Sequence, residues 1–426
     1  MVILADFSFI HAADIHLDSP LTGLSAYEGA PVELLRSAPR AAFRNLIDEA
    51  IQEQVDFMVI AGDLYDGDWP DFNTGLFFTQ EMGRLKREGI PVFIVRGNHD
   101  AESKLTKQLT LPDNVTVFST RKAESKPLEH LGVVLHGWSF RDAKTEENLA
   151  VAYPPAVPGN FNIGVLHTAV EGHAEHAPYA PCSLSNLTDK GYDYWALGHV
   201  HEYKILHKNP LVAFSGNIQG RNIRETGPRG ALLVTVENGK PSVERLFVDT
   251  VRWHRIEIDA GSARSLKDVV LLARNRLETL LRENADGRQL ATRVIFTGRS
   301  PAHGELFGLE SQLRHEILAA ANAFGDDSLW IEKVILDTKP ELGAAAIEAR
   351  SDAIADLQSI MAKAGSAQEI KQDIIDDLME LVGKAPLDLI DAMPELGAIK
   401  EGKIDDQLEK VSQSLIACMA GERDTK

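Results

Sequence analysis

Three apolar runs, FSFIHAAD, DFMVIAGD and PVFIVRGNHD, are separated by two helical patterns, PRAAFRNLIDEAIQEQ and NTGLFFTQEMGRLKREG. No other feature of the first hundred residues restricts the fold as strongly. Short β-branched and aromatic runs that alternate with segments of period near 3.6 describe strands joined by crossover helices, the units of a parallel α/β layer. Each run also closes on polar residues: Asp14 and His16 follow the first, Asp63 the second, Asn98 and His99 the third. Ligands of open α/β sheets gather at the carboxyl ends of strands, so these residues mark a candidate site.

Beyond about residue 110 the rhythm changes. VTVF, GVVLHGW, FNIGVLH, DYWALGHVH, LVAFSG, GALLVTVE and SVERLFV are shorter β-like runs, which predicts a second sheet packed on the first. Residues 252–338 then read strand, helix, strand, helix, strand, a small separate α+β domain. From Pro340 onward only helical spacing remains, with Ile370, Ile374, Leu378, Leu381 and Val382 in one set and Ile404, Leu408, Val411 and Leu415 in the next. Two uses of these apolar faces stay open: packing on the preceding domains, or docking a partner's helices. The expected division is 1–250, 251–339 and 340–426, in keeping with the two to three domains that 426 residues suggest.

Composition narrows the class. With 44% hydrophobic and 25% charged residues the chain is globular, and Cys182 and Cys418 cannot form a disulfide framework, so a reducing, cytoplasmic setting is expected. MVILADFSFIHAADIH lacks a basic leader and reads as a strand, and no apolar stretch approaches the roughly 20 residues of a membrane span. The formal charge of −19 opposes a generally nucleic-acid-binding surface, but it is unevenly spread. Residues 341–426 hold 18 acidic and 9 basic residues, whereas residues 203–230 set Lys204, Lys208, Arg221, Arg224 and Arg229 against Glu225 alone.

Five pieces stand in order: ADIH, AGDLYD, RGNHD, VLHT and GHVH. In a strand, residues i and i+2 share a face, so His199 and His201 are expected to project together while Val200 turns to the core. By itself such a pair also fits a strand face carrying two surface histidines. Taken with Asp14, His16, Asp63, Asn98 and His167 it fits a site for two divalent ions. Imidazole and carboxylate suit Mn²⁺, Fe²⁺ or Zn²⁺, and the lack of thiolates argues against a structural zinc cage. Asp63 is the candidate bridge, and the neutral amide of Asn98 adds an oxygen donor without charge, leaving the site positive toward a phosphate. Paired ions ~3.5–4 Å apart serve in-line displacement at phosphorus.

The ordered set resembles the calcineurin-like metallophosphoesterases, whose pattern D-x-H, G-D, G-N-H-D or G-N-H-E, H and G-H-x-H is met at every ligand position. The resemblance implies a four-layer α-β-β-α sandwich. It implies one metal on Asp14, His16, Asp63 and His201, and a second on Asp63, Asn98, His167 and His199. His99 would stabilise the transition state and protonate the leaving alkoxide, with Asp100 orienting it. FIHAADIHLDSPL, AGDLYDG, PVFIVRGNHDA, YAPCSL and FSGNIQGR narrow the likeness, over roughly residues 7–338, to the SbcD-type DNA-repair exonucleases and their YhaO branch. That group implies a capping role for the small domain and docking of the helical tail on a coiled-coil, SMC-like ATPase subunit. Asp18, where the group typically has glycine, and FSGNIQG, where it has a P-G-S turn, place the chain on a side branch.

The expectation is therefore a dimetal DNA phosphodiesterase, an exonuclease with endonucleolytic cleavage also open, using Mn²⁺ and working with DNA, the ATPase subunit and, in a homodimer, a second copy. Two rivals are a nucleotide or cyclic-nucleotide phosphoesterase and a DNA-tethering adaptor with weak cleavage. Arg221 and Arg224 either grip DNA phosphates or are plain surface arginines. His11 reads as a core histidine, His173 and His176 as a solvated loop, and the tryptophans show no interleaving with basic residues that would signal base stacking.

Overall fold

The computed structural model describes residues 5–19, 30–66, 73–102, 110–170, 179–325, 328–340, 360, 368–384, 394–405, 407–408 and 411–412. The chain divides into two compact units, residues 1–24 with 31–253, and residues 25–30 with 254–426.

In the first unit β1 (Phe7–Ala12), α1 (Val32–Gln52), β2 (Phe57–Ala61), α2 (Asn73–Arg87), β3 (Val92–Val95), α3 (Asn98–Glu102) and β4 (Val115–Val117) follow the expected α/β rhythm. Then come β5 (Glu124–Leu128), β6 (Val133–Gly137), β7 (Phe161–His167), α4 (Leu184–Thr188), β8 (Tyr194–Gly198), β9 (Lys204–Lys208), β10 (Leu211–Phe214), β11 (Gly230–Glu237) and β12 (Lys240–Phe247). Two six-stranded sheets result, ordered β12-β11-β1-β2-β3-β4 and β5-β6-β7-β8-β10-β9. VTVF, GALLVTVE and SVERLFV thus complete the first sheet rather than join the second. β1 pairs in parallel with β2 on one side and antiparallel with β11 on the other, so the late hairpin fills the free flank of the earliest strand.

The period-2 alternation of the strands sorts side chains into layers. On β1, Phe7 and Phe9 enter the core between the sheets, with Phe57, Phe161, Ile163 and Tyr194, while Ile10 and Ala12 meet Phe43, Leu46 and Phe78 under the helices. On β8, Tyr194 and Ala196 face the first sheet, and Trp195 and Leu197 face a thinner outer layer with Tyr153, Leu187 and Tyr192. The four layers are therefore helix, sheet, sheet and a slight helical cover. His11 follows the parity of Phe7 and Phe9: wholly buried, its ring bonds Tyr194 Oη at 2.9 Å and the Leu197 carbonyl at 3.1 Å, tying the sheets together.

Two boundaries differ from expectation. α1 begins at Val32 with Pro39 inside it, not near Pro39. A buried stripe of Leu35, Ala38, Pro39, Ala42 and Phe43 carries the helix through a residue that lacks an N–H. β5, with Pro127, and β9 form the two edges of the second sheet, where a missing donor and polar side chains are tolerated and the apolar signal is weak.

In the second unit β13 (Val251–Asp259, entering from the first), α5 (Leu266–Asn284), β14 (Gln289–Ser300), α6 (His303–Leu306), α7 (Glu310–Asn322) and β15 (Leu329–Pro340) keep the expected order, with a sheet β13-β14-β15. Val269, Ala273, Leu277 and Leu280 of α5 and Leu313 and Ile317 of α7 pack on Val294, Phe296 and Ile331. In the tail, α8 (Gln368–Val382) and α9 (Pro394–Lys400) pack on one another: Ile374, Leu378 and Val382 meet Leu396, Ile399, Ile404 and Leu408. Leu415, His173 and His176 lie outside the described residues. No described helix is long and apolar enough to cross a membrane.

Candidate metal centre

The carboxyl ends of β1, β2, β3, β7 and β8 deliver the five motif pieces to one place. The first two are fastened together beyond the regular sheet: the amides of Asp14, His16 and Leu17 donate to the carbonyls of Gly62, Asp63 and Leu64 at 3.0, 3.0 and 2.9 Å. To follow this path Asp14, His16, Asp18 and Asp63 take positive φ of 49°, 48°, 57° and 50°. Non-glycine residues seldom occupy this region, and they cluster there at functional sites.

His199 and His201 do not lie on a strand. β8 stops at Gly198, and His199 turns to φ 103° because its amide leaves the ladder and donates to both oxygens of Asp14, at 3.1 and 3.0 Å. Val200 is buried, as expected, but the two imidazoles reach the site from a loop.

Three overlapping groups, Asp14 with His16 and His201, Asp14 with Asp63 and His167, and His16 with Asp63 and His99, have ligand atoms within 4.8 Å of one another. Asn98 joins them, its Oδ1 lying 3.0 Å from His167 Nε2, and the His199 ring centroid lies 5.3 Å from that of His167. His99, which the sequence reading kept out of the ligand set, therefore also offers a nitrogen close to His16 and Asp63.

The donor set fits a divalent pair on local chemistry. His167 Nδ1 faces the Ala61 carbonyl at 3.0 Å and must donate there, which turns the Nε2 lone pair of a neutral ring toward Asn98 Oδ1 and, at 3.3 Å, Asp63 Oδ2. Three electron-rich atoms facing one another require a positive charge among them. In the protein alone the imidazole supplies it: burial works against the charge, but Asp63 pushes the His167 pKa up to about 9. At His201, Nδ1 pairs with Glu225 Oε1 at 2.7 Å and Nε2 lies 3.3 Å from His16 Nε2. A carboxylate behind a histidine fixes the tautomer that presents the other nitrogen to a metal. His16 Nδ1 is buried, with no hydrogen bond among the described residues and Asp66 Oδ1 3.6 Å away. Burial and the nearby Arg221 lower the His16 pKa, favouring the neutral, metal-competent ring. Burial by itself would raise the Asp63 pKa, but His167, His16 and His99 hold it well below the usual carboxylate range.

Asp100 does not orient His99. Its carboxylate accepts the amides of Tyr65 at 2.9 Å, Leu64 at 3.2 Å and Gly97 at 3.0 Å, so it braces the two loops that carry Asp63 and Asn98. Burial, then Asp63, push its pKa up to about 6. The partner of His99 is Asp66, whose Oδ1 lies 2.7 Å from His99 Nδ1 and whose Oδ2 accepts from Ser19 Oγ at 2.5 Å and Arg221 Nη1 at 3.5 Å. The hydrogen bond to Asp66 raises the His99 pKa. Asp66 and Glu225 were both missed from sequence. Asp66 stands in the quoted AGDLYD, three residues after Asp63, but an acid in a loop carries no mark of its own.

Arg221 reaches the site, within 3.5 Å of Asp66, Glu225 and His201, while Arg224 is exposed. Arg229 is spent internally on the His201 and Thr226 carbonyls, Asn217 and Glu202, so the basic run is less free than its composition suggests. Two glycines are needed by contact. A Cβ on Gly62, at φ 97°, would fall 2.4 Å from His167 Nδ1, and one on Gly97 would fall 2.2 Å from Asp63 Oδ1.

Residues 7–203 match the calcineurin-like phosphoesterase family, and residues 253–339 match the middle domain of metallophosphoesterase YhaO. Among curated proteins, the chain is 34% identical over 303 residues to an uncharacterised metallophosphoesterase YhaO of Bacillus subtilis (strain 168), spanning 70% of this chain and 74% of that one. It is 26% identical over 269 residues to a DNA double-strand break repair protein Mre11 of Sulfurisphaera tokodaii, covering 60% of this chain and 66% of the other. A protein of the same name from Methanopyrus kandleri is 26% identical over 332 residues, 71% of this chain and 67% of the relative.

Proposed function

The chain belongs to the calcineurin-like metallophosphoesterases, and from that premise we propose that it hydrolyses DNA phosphodiesters with two divalent ions, Mn²⁺ in preference. The observation that carries this reading is the convergence of Asp14, His16, Asp63, His167 and His201 into overlapping ligand groups. Asp14, His16, Asp63 and His201 would hold one ion, and Asp63, Asn98, His167 and His199 the other. Bound there, such a pair neutralises charge on the phosphoryl oxygens and lowers the pKa of water.

The remaining steps belong to side chains. His99, with Asp66 on Nδ1, holds a proton at Nε2 for the leaving alkoxide, and its raised pKa keeps that proton available near neutrality. Asp66 is its positioning residue, while Asp100 holds the loops. The part-exposed side chain of Arg221, within 3.5 Å of Asp66 and His201, supports a contact to a substrate phosphate, and exposed Arg224 would add a second. DNA as substrate is supported by the two relatives named as DNA double-strand break repair proteins. Docking of an SMC-like ATPase is supported by Ile370, Met379 and Val411, which remain 43%, 40% and 47% exposed although the tail helices pack together.

Purified protein with Mn²⁺ is given bis(p-nitrophenyl) phosphate, linear duplex DNA and circular single strands, with and without a coiled-coil ATPase. Cleavage of linear DNA as well as the ester is expected. Cleavage of the ester alone would remove DNA from the reading and leave a small-molecule phosphodiesterase.

A further inference from the structure

A cavity of about 790 Å³ lies beside the metal centre, lined from two separate segments that include Thr120, Arg121, Trp138, Phe140, Arg141 and Lys144. Its size falls within the ~300–1,000 Å³ of ordinary ligand sites. Phe140 joins the cavity to the centre. Its ring meets the His167 ring edge to face, with centroids 5.6 Å apart, and its amide donates at 2.9 Å to the carbonyl of Arg96, two residues before Asn98. Whatever fills the cavity therefore sits one side chain away from a candidate ligand of the metal.

The lining combines an aromatic surface with cations. Trp138 is half-buried, one part packed on the outer core and the rest facing the cavity. Arg121 and Lys144 are exposed and have no ion-pair partner among the described residues, while Arg141 is paired only loosely, at 3.7 Å, with Asp142. Asp142, Glu146 and Glu147 also line the space, so three acids balance three cations. A cavity of zero net charge has little pull on a bare phosphate, and recognition must come from stacking on the indole, with a cation beside each backbone phosphate. An aromatic platform with adjacent basic side chains is the chemistry that holds an unpaired nucleotide without regard to sequence.

We propose that the Trp138 cavity is a subsite for an unpaired nucleotide of the substrate strand, held by stacking on Trp138 with Arg121 and Lys144 at its phosphates. This deepens the phosphodiesterase reading and rests on it for the identity of the strand. It also changes the view from sequence, in which the tryptophans stood apart from basic residues: Arg121 and Trp138 are 17 positions apart in the chain and line one cavity.

The test uses the full chain and a fluorescein-labelled, 12-nucleotide oligodeoxyadenylate, with binding read by anisotropy in EDTA and hydrolysis of bis(p-nitrophenyl) phosphate read with Mn²⁺. Trp138→Ala is expected to weaken oligonucleotide binding about ten-fold while ester hydrolysis is unchanged, and Trp138→Phe to restore most of the affinity. Arg121→Glu, an exposed position, is expected to weaken binding several-fold. Wild-type affinity in Trp138→Ala, with ester hydrolysis intact, overturns the subsite. Should that variant lose ester hydrolysis through misfolding, Arg121→Glu decides, and wild-type affinity there overturns it. Absence of ester hydrolysis by the unmodified protein would instead overturn the phosphodiesterase reading, and the two failures are read in different assays.

Discussion

The candidate centre has two unlike halves. Around His167, Asn98 and Asp63 every group is buried, and geometry is set by main chain: the Ala61 carbonyl fixes the ring, the His99 amide holds Asp63 Oδ1 at 3.0 Å, and glycines at 62 and 97 leave no room for change. Around His16 and His201 geometry is set by the side chains of Asp66, Glu225 and Arg221, with His201, Asp66 and Arg221 showing 19%, 15% and 19% of their side chains to solvent. The first half is rigid because covalent and packing constraints position it. The second is a network of polar side chains in which each member depends on its neighbours, and it is the half that meets solvent.

Substitutions test this contrast, from the largest effect down. Asp63→Ala, which touches both halves, is expected to abolish measurable hydrolysis and remove bound metal; full metal content by elemental analysis would break the idea of a shared bridge. His99→Ala is expected to lose about 10²–10⁴-fold in kcat with metal retained. Depletion of metal in that variant would move His99 from acid to ligand, as its proximity to His16 and Asp63 permits. Glu225→Gln should weaken metal affinity about 10–100-fold, since it removes the charge behind His201, a charge that also pairs with Arg221. Asp66→Asn should lower kcat with metal content unchanged and shift the alkaline limb of the pH–rate profile downward, because Asp66 holds the His99 pKa up; an unmoved limb would detach Asp66 from the proton.

A further effect concerns stability rather than hydrolysis. Burial brings the His11 pKa down from 6.5 to about 4, although the Leu197 carbonyl and Asp14 oppose this. The unfolded chain takes up that proton below pH 6.5 and the folded chain does not. The stabilising contribution is thus complete above pH 6.5, declines between 6.5 and 4, and is lost below, on the order of 3 kcal/mol in all. Urea unfolding in EDTA at pH 7.5 and 4.5 should show this loss in the natural protein, and His11→Gln should reduce it. An equal loss in the variant would place the pH dependence elsewhere.

The metal-type residues were legible because each ends an apolar run that has to be a strand, and the second unit because its periodicities alternate cleanly. Partnerships were not. Nothing local distinguishes Asp66 from Asp100, yet one faces an imidazole and the other three amides, since the turn after β2 passes beside α3. Glu225 lies 24 positions from His201 and meets it only because the chain folds back after β10. The strand ending at Gly198 shows the limit of period-2 logic: an aspartate from another loop drew the His199 amide out of the ladder.

Asp14, His16 and Asp18 alternate in handedness with the residues between them. Left-handed backbone costs roughly 1–2 kcal/mol for such a residue, and here it is sustained by hydrogen bonds to the neighbouring loop. A designer who transplanted Asp-x-His onto the end of an ordinary strand would copy the letters and lose the trajectory. The transferable unit is the pair of fastened loops, residues 12–18 with 61–66, and a graft that carried both should keep the spacing of its donors before any ion is added.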